Sequence, residues 1–225
     1  MGWADWVRTV EVEPSLYAAD FARLGEQIDV LMRAGVRIFH FDVGDGHFVE
    51  PVTIGPIVLK DVAPLVHAVG GCMDCHLMVD NPTRHFPQIA EAGGDSVTFH
   101  YEAVADVPAT IAAAREHGLH VGVAFNPESE PEAVAAVAGD ADLVLCMSIH
   151  PGYSGQEFMP DALDRIARVR AALPESVHVQ VDGGIDNDTI RPAYDAGATL
   201  LVAGSAIFQR EDLPRAYRRL VQALA

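Results

Sequence analysis

Hydrophobic and polar positions along the chain follow one repeating unit, an amphipathic helix followed by a glycine and a short apolar run. In the first helix Asp20 stands at the N-cap position. Its apolar face consists of Phe21, Leu24, Ile28 and Leu31. Glycine suits the left-handed position after a helix, and the apolar run is typical of a buried parallel strand. The unit recurs in "LMRAGVRIFHF", "IAEAGGDSVTFH", "AREHGLHVGVAF", "AVAGDADLVLCM" and "AYDAGATLLVAG".

The apolar runs predict eight strands with helices between them and after the last. We place the strand centres near residues 12, 39, 75, 97, 122, 145, 179 and 201. Because no linker or low-complexity segment interrupts the pattern, we predict a single α/β domain over residues 1–225, a (β/α)8 TIM barrel. A doubly wound open sheet is the alternative fold, but it needs fewer strands, and "VDGGID" is not a dinucleotide-binding fingerprint.

The composition of the chain limits the classes of molecule that it can bind. The net charge of -17 argues against nucleic acid and anionic membranes, which require basic surfaces. Lys60 is the only lysine, so we expect backbone N–H groups and helix N-termini to hold any bound phosphate. The N-terminal segment lacks the apolar core of a secretory signal, so we expect a cytoplasmic location. The odd set of Cys72, Cys75 and Cys146 then predicts reduced, buried thiols.

Polar residues at the carboxyl ends of the predicted strands are candidates for function, because active sites of such barrels lie there. His40 and Asp42 are two apart on one strand and share a face. If both face inward, His76 and Asp182 can converge with them. Two imidazoles and two carboxylates suit one divalent transition metal ion such as Zn, Fe, Mn or Co. The other strand-end candidates are Ser15, His100, Asn126, Ser148, His150, Gly204 and Ser205.

Glycine-containing turns follow the last three strands, as "HPGYSGQ", "VDGGID" and "AGSAIF". Loops after strands 7 and 8 form a recurrent phosphate site in these barrels, and glycine lets backbone N–H groups approach an anion closely. The phosphate candidates are Gly155, Gly183, Gly184, Gly204 and Ser205.

The chain resembles the ribulose-phosphate 3-epimerase family over nearly its full length. Seven segments carry the resemblance in the family's order: "PSLYAADFARL", "HFDVGDGHFVEPVTIGP", "HLMVDNP", "GGDSVTFHYEA", "MSIHPGYSGQEFMP", "VDGGIDNDTI" and "VAGSAIF". The resemblance implies a metal-dependent barrel of the ribulose-phosphate-binding type. It also implies an isomerase that interconverts D-ribulose 5-phosphate and D-xylulose 5-phosphate in the pentose phosphate pathway. We expect a sugar phosphate as ligand and a homo-oligomer as the assembly.

The resemblance also implies roles for individual residues. It places the metal ligands at His40, Asp42, His76 and Asp182. Asp42 then corresponds to the proton acceptor and Asp182 to the proton donor. The predicted substrate-binding residues are Ser15, His76, Met78, Met147, Gly152, Tyr153, Ser154, Gly155, Gly183, Gly184, Gly204 and Ser205.

The chemistry agrees with these roles. Inverting a carbon beside a ketone requires that one group remove its proton and another return a proton to the opposite face, which two carboxyls can do. The enediolate intermediate carries negative charge that a metal stabilises as a Lewis acid. Because a metal also lowers the pKa of its carboxylate ligands, one aspartate needs an environment that keeps it protonated.

Two departures from the family pattern bear on the substrate. Gly44 stands where the family has methionine, and we expect it to leave room beside the reacting centre. His150 adds a titratable group near the mouth. One alternative is therefore a 3-epimerase of another ketose phosphate such as D-allulose 6-phosphate. Others are a metal-free phosphate-binding isomerase or lyase, and a non-catalytic sugar-phosphate-binding barrel.

The remaining polar residues near the second strand receive structural interpretations. Asp45 and His47 are expected to shape the turn, and His100 to form hydrogen bonds within the barrel's polar layer. The loop "GDGHFVEPVTIGP" is long for a strand–helix connection. It is predicted either to close over the substrate as a lid or to pack as an immobile loop.

Overall fold

Each predicted apolar run is a β-strand in the computed structural model, which describes residues 10–225. All eight predicted centres fall inside strands, while residues 1–9 of the predicted domain lie outside the described residues. The strands are β1 (Glu11–Pro14), β2 (Ile38–Gly44), β3 (Cys72–Met78), β4 (Ser96–His100), β5 (His120–Phe125), β6 (Leu143–Met147), β7 (His178–Asp182) and β8 (Leu200–Ala203).

The strands form one parallel sheet in the order β1-β8-β7-β6-β5-β4-β3-β2. Every neighbouring pair is parallel. An isolated parallel bridge between Ser15 and His40 brings the end of β1 beside β2 and nearly closes the barrel. The (β/α)8 prediction is confirmed, and the open doubly wound sheet is excluded.

Helices follow every strand and cover the outside of the barrel. They are α1 (Leu24–Ala34), α2 (Pro56–His67), α3 (Phe86–Glu91), α4 (Val107–Arg115), α5 (Pro131–Val137), α6 (Ala162–Ala172), α7 (Ile190–Asp195), α8 (Ser205–Phe208) and α9 (Leu213–Ala223). Within residues 10–225 no helix is both long and apolar enough to cross a membrane.

The start of the first helix differs from the prediction at two residues, Asp20 and Phe21. Asp20 caps a 3-10 turn, Phe21–Arg23, by accepting a hydrogen bond from Ala22 N, and α1 begins only at Leu24. Leu24, Ile28 and Leu31 are buried as expected, but Phe21 is 50% exposed. Because the 3-10 turn has a different period, Phe21 leaves the apolar face.

Side-chain alternation divides the core into two layers. In β2, Phe39 and Phe41 belong to the large apolar cluster between strands and helices. Ile38 belongs to a smaller cluster inside the barrel, completed by Cys72, Ala124, Leu143, Leu145, Met147, Ile149 and Leu200. The same alternation directs His40 and Asp42, both buried, toward the interior. The three cysteines are free and buried, as predicted.

Interior packing makes Gly122 on β5 a sensitive position. A Cβ there would overlap Thr98 Oγ1 and lie 2.5 Å from Leu143 Cδ1. We expect Gly122→Ala to lower the free energy of unfolding by about 1–3 kcal/mol, because the barrel interior has no room for the added methyl group. Gly139→Ala is the control, since a Cβ there meets nothing within 4 Å. Urea denaturation that gives equal stabilities for both variants would contradict the packing account.

Candidate active site

Four side chains from three strands meet at the carboxyl end of the barrel. His40 and Asp42 lie on β2, His76 on β3, and Asp182 ends β7. Asp42 Oδ1 lies 3.3 Å from His40 Nε2 and 3.2 Å from His76 Nδ1. Asp182 Oδ2 lies 4.0 Å and 3.8 Å from the same two nitrogens. The sequence-predicted metal set is thus brought together, with one ligand atom from each residue within 4.8 Å of the others.

The geometry fits a small divalent cation. Ligand atoms about 2.0–2.1 Å from a tetrahedral zinc ion lie about 3.4 Å apart, close to the distances within this cluster. His40 Nε2 is buried and has no hydrogen-bond partner among the described residues. A buried nitrogen without a partner is unfavourable unless something binds it, so the donor set suits a metal.

His40 is held from behind by Asp74 on β3. His40 Nδ1 lies 3.1 Å from Asp74 Oδ2, so its proton can point at this carboxylate while Nε2 faces the cluster. Asp74 also accepts hydrogen bonds from Ser96 Oγ at 2.6 Å and Gln180 Nε2 at 2.8 Å. Gln180 Nε2 donates as well to Glu13 Oε2 at 2.7 Å. This buried layer lies directly below the four-residue cluster.

His76 is held from behind by a second imidazole. His76 Nε2 lies 2.8 Å from His100 Nε2, and the two rings stack with centroids 5.0 Å apart. Burial lowers the pKa of His100 to about 4, so this ring is neutral at neutral pH. His100 Nδ1 in turn faces Glu102 Oε2 at 3.4 Å. The expectation that His100 forms hydrogen bonds in a polar layer is therefore confirmed.

Sequence reasoning missed Asp74, Gln180 and Glu13. Each stands two residues before a strand-end candidate, His76, Asp182 or Ser15 respectively. The period of two that places the strand-end residues therefore also places this lower layer inside the barrel. Glu102 lies in a 3-10 turn after β4, where no periodic signal applies.

The protein groups give the two aspartates different acidities. Burial raises the pKa of Asp42, but the nearby charge of His40, with the hydrogen bond and charge of His76, outweighs burial and holds its pKa well below the usual range. For Asp182, burial and then the negative charge of Asp42 raise the pKa to about 7. Asp42 is thus the more acidic carboxyl of the pair, and Asp182 is the one that retains a proton more readily.

A pocket opens directly above the cluster. It is lined by every predicted substrate-binding residue except His76, whose Nδ1 lies 3.2 Å from Oδ1 of the lining residue Asp42. Sequence reasoning missed four lining residues: Tyr17, Ile149, Ile185 and Val202. Of these, Val202 stands two residues after Leu200 on β8, so the strand period could have found it.

The glycine turns form one wall of this pocket. Gly155, Gly183 and Gly184 have positive φ angles of 86°, 117° and 63°. A Cβ at Gly184 would overlap the backbone of Phe158, so only glycine fits this close approach. Ser148 Oγ donates to the carbonyls of Asp182 and Gly183, at 2.9 and 2.6 Å, and fixes the turn after β7.

The expectation that Gly44 leaves open space is wrong. A Cβ at this position would lie 2.9 Å from both Pro51 O and Val49 Cγ2, and 3.1 Å from Thr53 Cγ2. The loop after β2 therefore fills the volume, and Gly44 does not line the pocket. Its effect is to let the loop pack closely against the end of β2.

Asp45 holds the start of this loop, as predicted. Its Oδ1 accepts hydrogen bonds from His47 N at 2.8 Å and Phe48 N at 2.9 Å, and its Oδ2 accepts one from Asp80 N at 2.9 Å. Farther along, Tyr153 of the loop after β6 donates its hydroxyl to Glu50 Oε2 at 3.2 Å. The lid role of the loop stays a prediction.

His150 does not line the pocket. Its side chain is exposed and lies 3.2 Å from Glu128 Oε1. The titratable group expected near the mouth is therefore turned outward, and it contacts none of the four clustered residues.

The sequence matches the model of the ribulose-phosphate 3 epimerase family over residues 11–208. A ribulose-phosphate 3-epimerase from Bacillus subtilis (strain 168) is 38% identical over 211 residues, covering 92% of this chain and 96% of the relative. One from Escherichia coli (strain K12) is 39% identical over 217 residues, covering 95% and 96%. The chain belongs to the ribulose-phosphate 3-epimerase family. The predicted resemblance is confirmed, and the chain is an epimerase, an isomerase acting on carbohydrates.

Solved structures resemble this epimerase in fold. A 3-hexulose-6-phosphate synthase from Salmonella typhimurium superposes with a TM-score of 0.71 at 19% identity, covering 95% of this chain and 98% of that chain. A KGPDC from Streptococcus mutans gives a TM-score of 0.68 at 13% identity, covering 96% and 98%. At these identities the likeness establishes the barrel fold alone.

The tight contact at Gly44 gives a stability prediction. We expect Gly44→Ala to lower the free energy of unfolding of this epimerase by about 1–3 kcal/mol, because the methyl group must displace Val49 or the Pro51 carbonyl. In thermal unfolding, each lost kcal/mol lowers Tm by about 2–4 °C at this chain length. Gly55→Ala is the control, since a Cβ there meets nothing within 4 Å. If Gly44→Ala melted with the control, the loop would not fill this space.

Proposed function

We propose that this epimerase interconverts D-ribulose 5-phosphate and D-xylulose 5-phosphate in the pentose phosphate pathway. A divalent transition metal ion and two aspartates would carry the reaction. The observation that supports this most strongly is the cluster of His40, Asp42, His76 and Asp182 under the pocket. It occurs in a chain 38% and 39% identical to relatives named ribulose-phosphate 3-epimerase.

The proposed metal ligands are the four atoms that converge: His40 Nε2, His76 Nδ1, Asp42 Oδ1 and Asp182 Oδ2. Nitrogen and carboxylate ligands suit Zn, Fe, Mn or Co. When bound, the metal supplies a Lewis acid that stabilises the negative charge developing on the oxygens of the enediolate.

Asp42 and Asp182 exchange protons with the substrate carbon. Asp42, the ionised group, removes the proton beside the ketone, and Asp182 returns one to the opposite face. Ser15 Oγ donates to Asp42 Oδ2 at 2.7 Å and orients that carboxylate. For the reverse reaction the two roles exchange. Burial and the charge of Asp42, which raise the pKa of Asp182, oppose the acidifying effect of a cation.

The phosphate group of the substrate would lie against the glycine turns. Backbone N–H groups around Gly155, Gly183, Gly184 and Gly204, with Ser205, are its proposed donors. Lys60 lies on α2 and lines a different cavity, which agrees with binding through the backbone.

The rival functions lose support. D-Allulose 6-phosphate was favoured by space beside Gly44, and the loop after β2 fills that space. A metal-free or non-catalytic barrel gives no reason to bury two carboxyls and two imidazoles within 4.8 Å of one another. The cytoplasmic location and the homo-oligomeric assembly stay predictions.

The two-aspartate proposal predicts that Asp42→Asn and Asp182→Asn each lower kcat on D-ribulose 5-phosphate by at least about 10²–10⁴-fold, because each amide can neither accept nor donate the transferred proton. Asp188→Asn at the exposed rim is the control and should keep wild-type kcat. Circular dichroism checks that the variants fold. A folded Asp42→Asn or Asp182→Asn enzyme with near-normal turnover would refute the assignment.

Metal removal gives a second prediction. The purified protein should contain about one transition metal ion per chain, and a chelator should abolish turnover, because the enediolate charge then lacks its stabilising cation. Adding Zn²⁺, Mn²⁺, Fe²⁺ or Co²⁺ back should restore turnover. Elemental analysis and activity before and after chelation test this. Full activity in metal-free protein would favour a metal-independent isomerase.

A further inference from the structure

Polar groups in close contact lead from His76 to the rim of the barrel, and the link from His100 to Glu102 is a 3.4 Å contact that is not aligned as a hydrogen bond. His76 Nε2 and His100 Nε2 are 2.8 Å apart, and His100 Nδ1 is 3.4 Å from Glu102 Oε2. The other carboxylate oxygen, Glu102 Oε1, accepts hydrogen bonds from Asn126 N at 2.8 Å and from Ser129 Oγ. These contacts begin at a proposed metal ligand and end at a carboxylate that is not one.

The contact between the two imidazoles allows only one proton. Two facing ring nitrogens 2.8 Å apart must be one donor and one acceptor. If His76 donates from Nε2, its Nδ1 lone pair faces the metal cluster. His100 then carries its proton on Nδ1, where it points at Glu102.

The opposite proton order is conceivable, because His76 Nδ1 lies 3.2 Å from Asp42 Oδ1 and could donate to it. That order would turn the lone pair of His100 Nδ1 toward the Glu102 carboxylate. Two acceptors facing each other are unfavourable, most of all for the fully buried nitrogen of His100, whereas the Glu102 side chain is 24% exposed. The Asp42 carboxylate therefore favours the His76 tautomer with its proton on Nδ1, whereas the Glu102 carboxylate, acting through His100, favours the tautomer with its proton on Nε2.

We propose that Glu102, acting through His100, is a positioning residue that keeps His76 Nδ1 unprotonated and available to the metal. This inference rests on the proposed metal site and extends it to two residues that do not touch the metal. Asp74 holds His40 by a direct contact, whereas Glu102 holds His76 through an intervening ring.

The surroundings of His100 make it depend on Glu102. The ring is fully buried, and Phe48 from the loop after β2 packs on it with centroids 4.7 Å apart. Glu102 is the only carboxylate that the described residues bring within 4.0 Å of His100. Removing the charge of Glu102 should therefore change the tautomer of His100 and, through His76, the affinity of the site for a metal.

Metal affinity tests this directly. We expect Glu102→Gln to raise the dissociation constants for Zn²⁺ and Co²⁺, measured by chelator competition, by about 10- to 100-fold. Glu128→Gln is the matched control, because it removes the same charge from an exposed glutamate–histidine pair, with His150 at 3.2 Å. This control should bind metal within about twofold of wild type.

Nitrogen-15 NMR of the metal-free wild-type protein gives a readout that needs no variant, because without a metal on Nδ1 the tautomer of His76 depends on the surrounding protein groups alone. The expected spectrum has the proton of His76 on Nε2 and that of His100 on Nδ1. The reverse assignment, or unchanged metal affinity in a folded Glu102→Gln protein, would overturn the inference. If wild-type protein bound neither metal, the proposed function would fail as well. If the wild-type protein bound metal and Glu102→Gln bound it equally well, only the proposed role of Glu102 would be wrong.

Discussion

Burial of charge at the carboxyl end of the barrel is the constraint on which the rest of the interior depends. Asp42 and Asp182 lie largely out of water beside His40 and His76, with ligand atoms within 4.8 Å of one another. A buried carboxylate is costly unless it is neutralised or fully hydrogen-bonded. Asp42 gains Ser15 and the imidazoles, the pKa of Asp182 is raised by burial and by the charge of Asp42, and the proposed divalent cation would neutralise the whole set.

The same constraint explains the layers around the cluster. Asp74 stabilises one ring of the pair, and its own charge is met by Ser96 and Gln180. His100 stabilises the other ring. The proposed phosphate end is built differently, from glycine turns at positive φ, which suits a protein of net charge -17 with one lysine. In this proposal one end of the pocket binds through charged side chains and the other through backbone N–H groups.

Much of this arrangement could be predicted from the sequence, because backbone geometry fixes the side-chain period of helices at about 3.6 residues and that of strands at two. The period of two places His40 beside Asp42, and parallel strands bring their carboxyl ends together. Local detail could not be predicted. Phe21 is exposed rather than on the apolar face because a 3-10 turn precedes the helix. The space at Gly44 depends on how the 13-residue loop after β2 packs against the end of that strand. Glu102 lies in an irregular turn without a periodic signal.

The most direct test of the central claim, that two carboxyls on opposite faces share the proton transfer, is a single turnover in D₂O. In the proposed mechanism Asp42 and Asp182 act on the substrate carbon as separate groups, so the hydrogen removed by one is not the hydrogen delivered by the other. Mass spectrometry and NMR of D-xylulose 5-phosphate formed from D-ribulose 5-phosphate should show deuterium at the inverted carbon. Product that retains the original substrate hydrogen there would indicate a single base and would contradict the account.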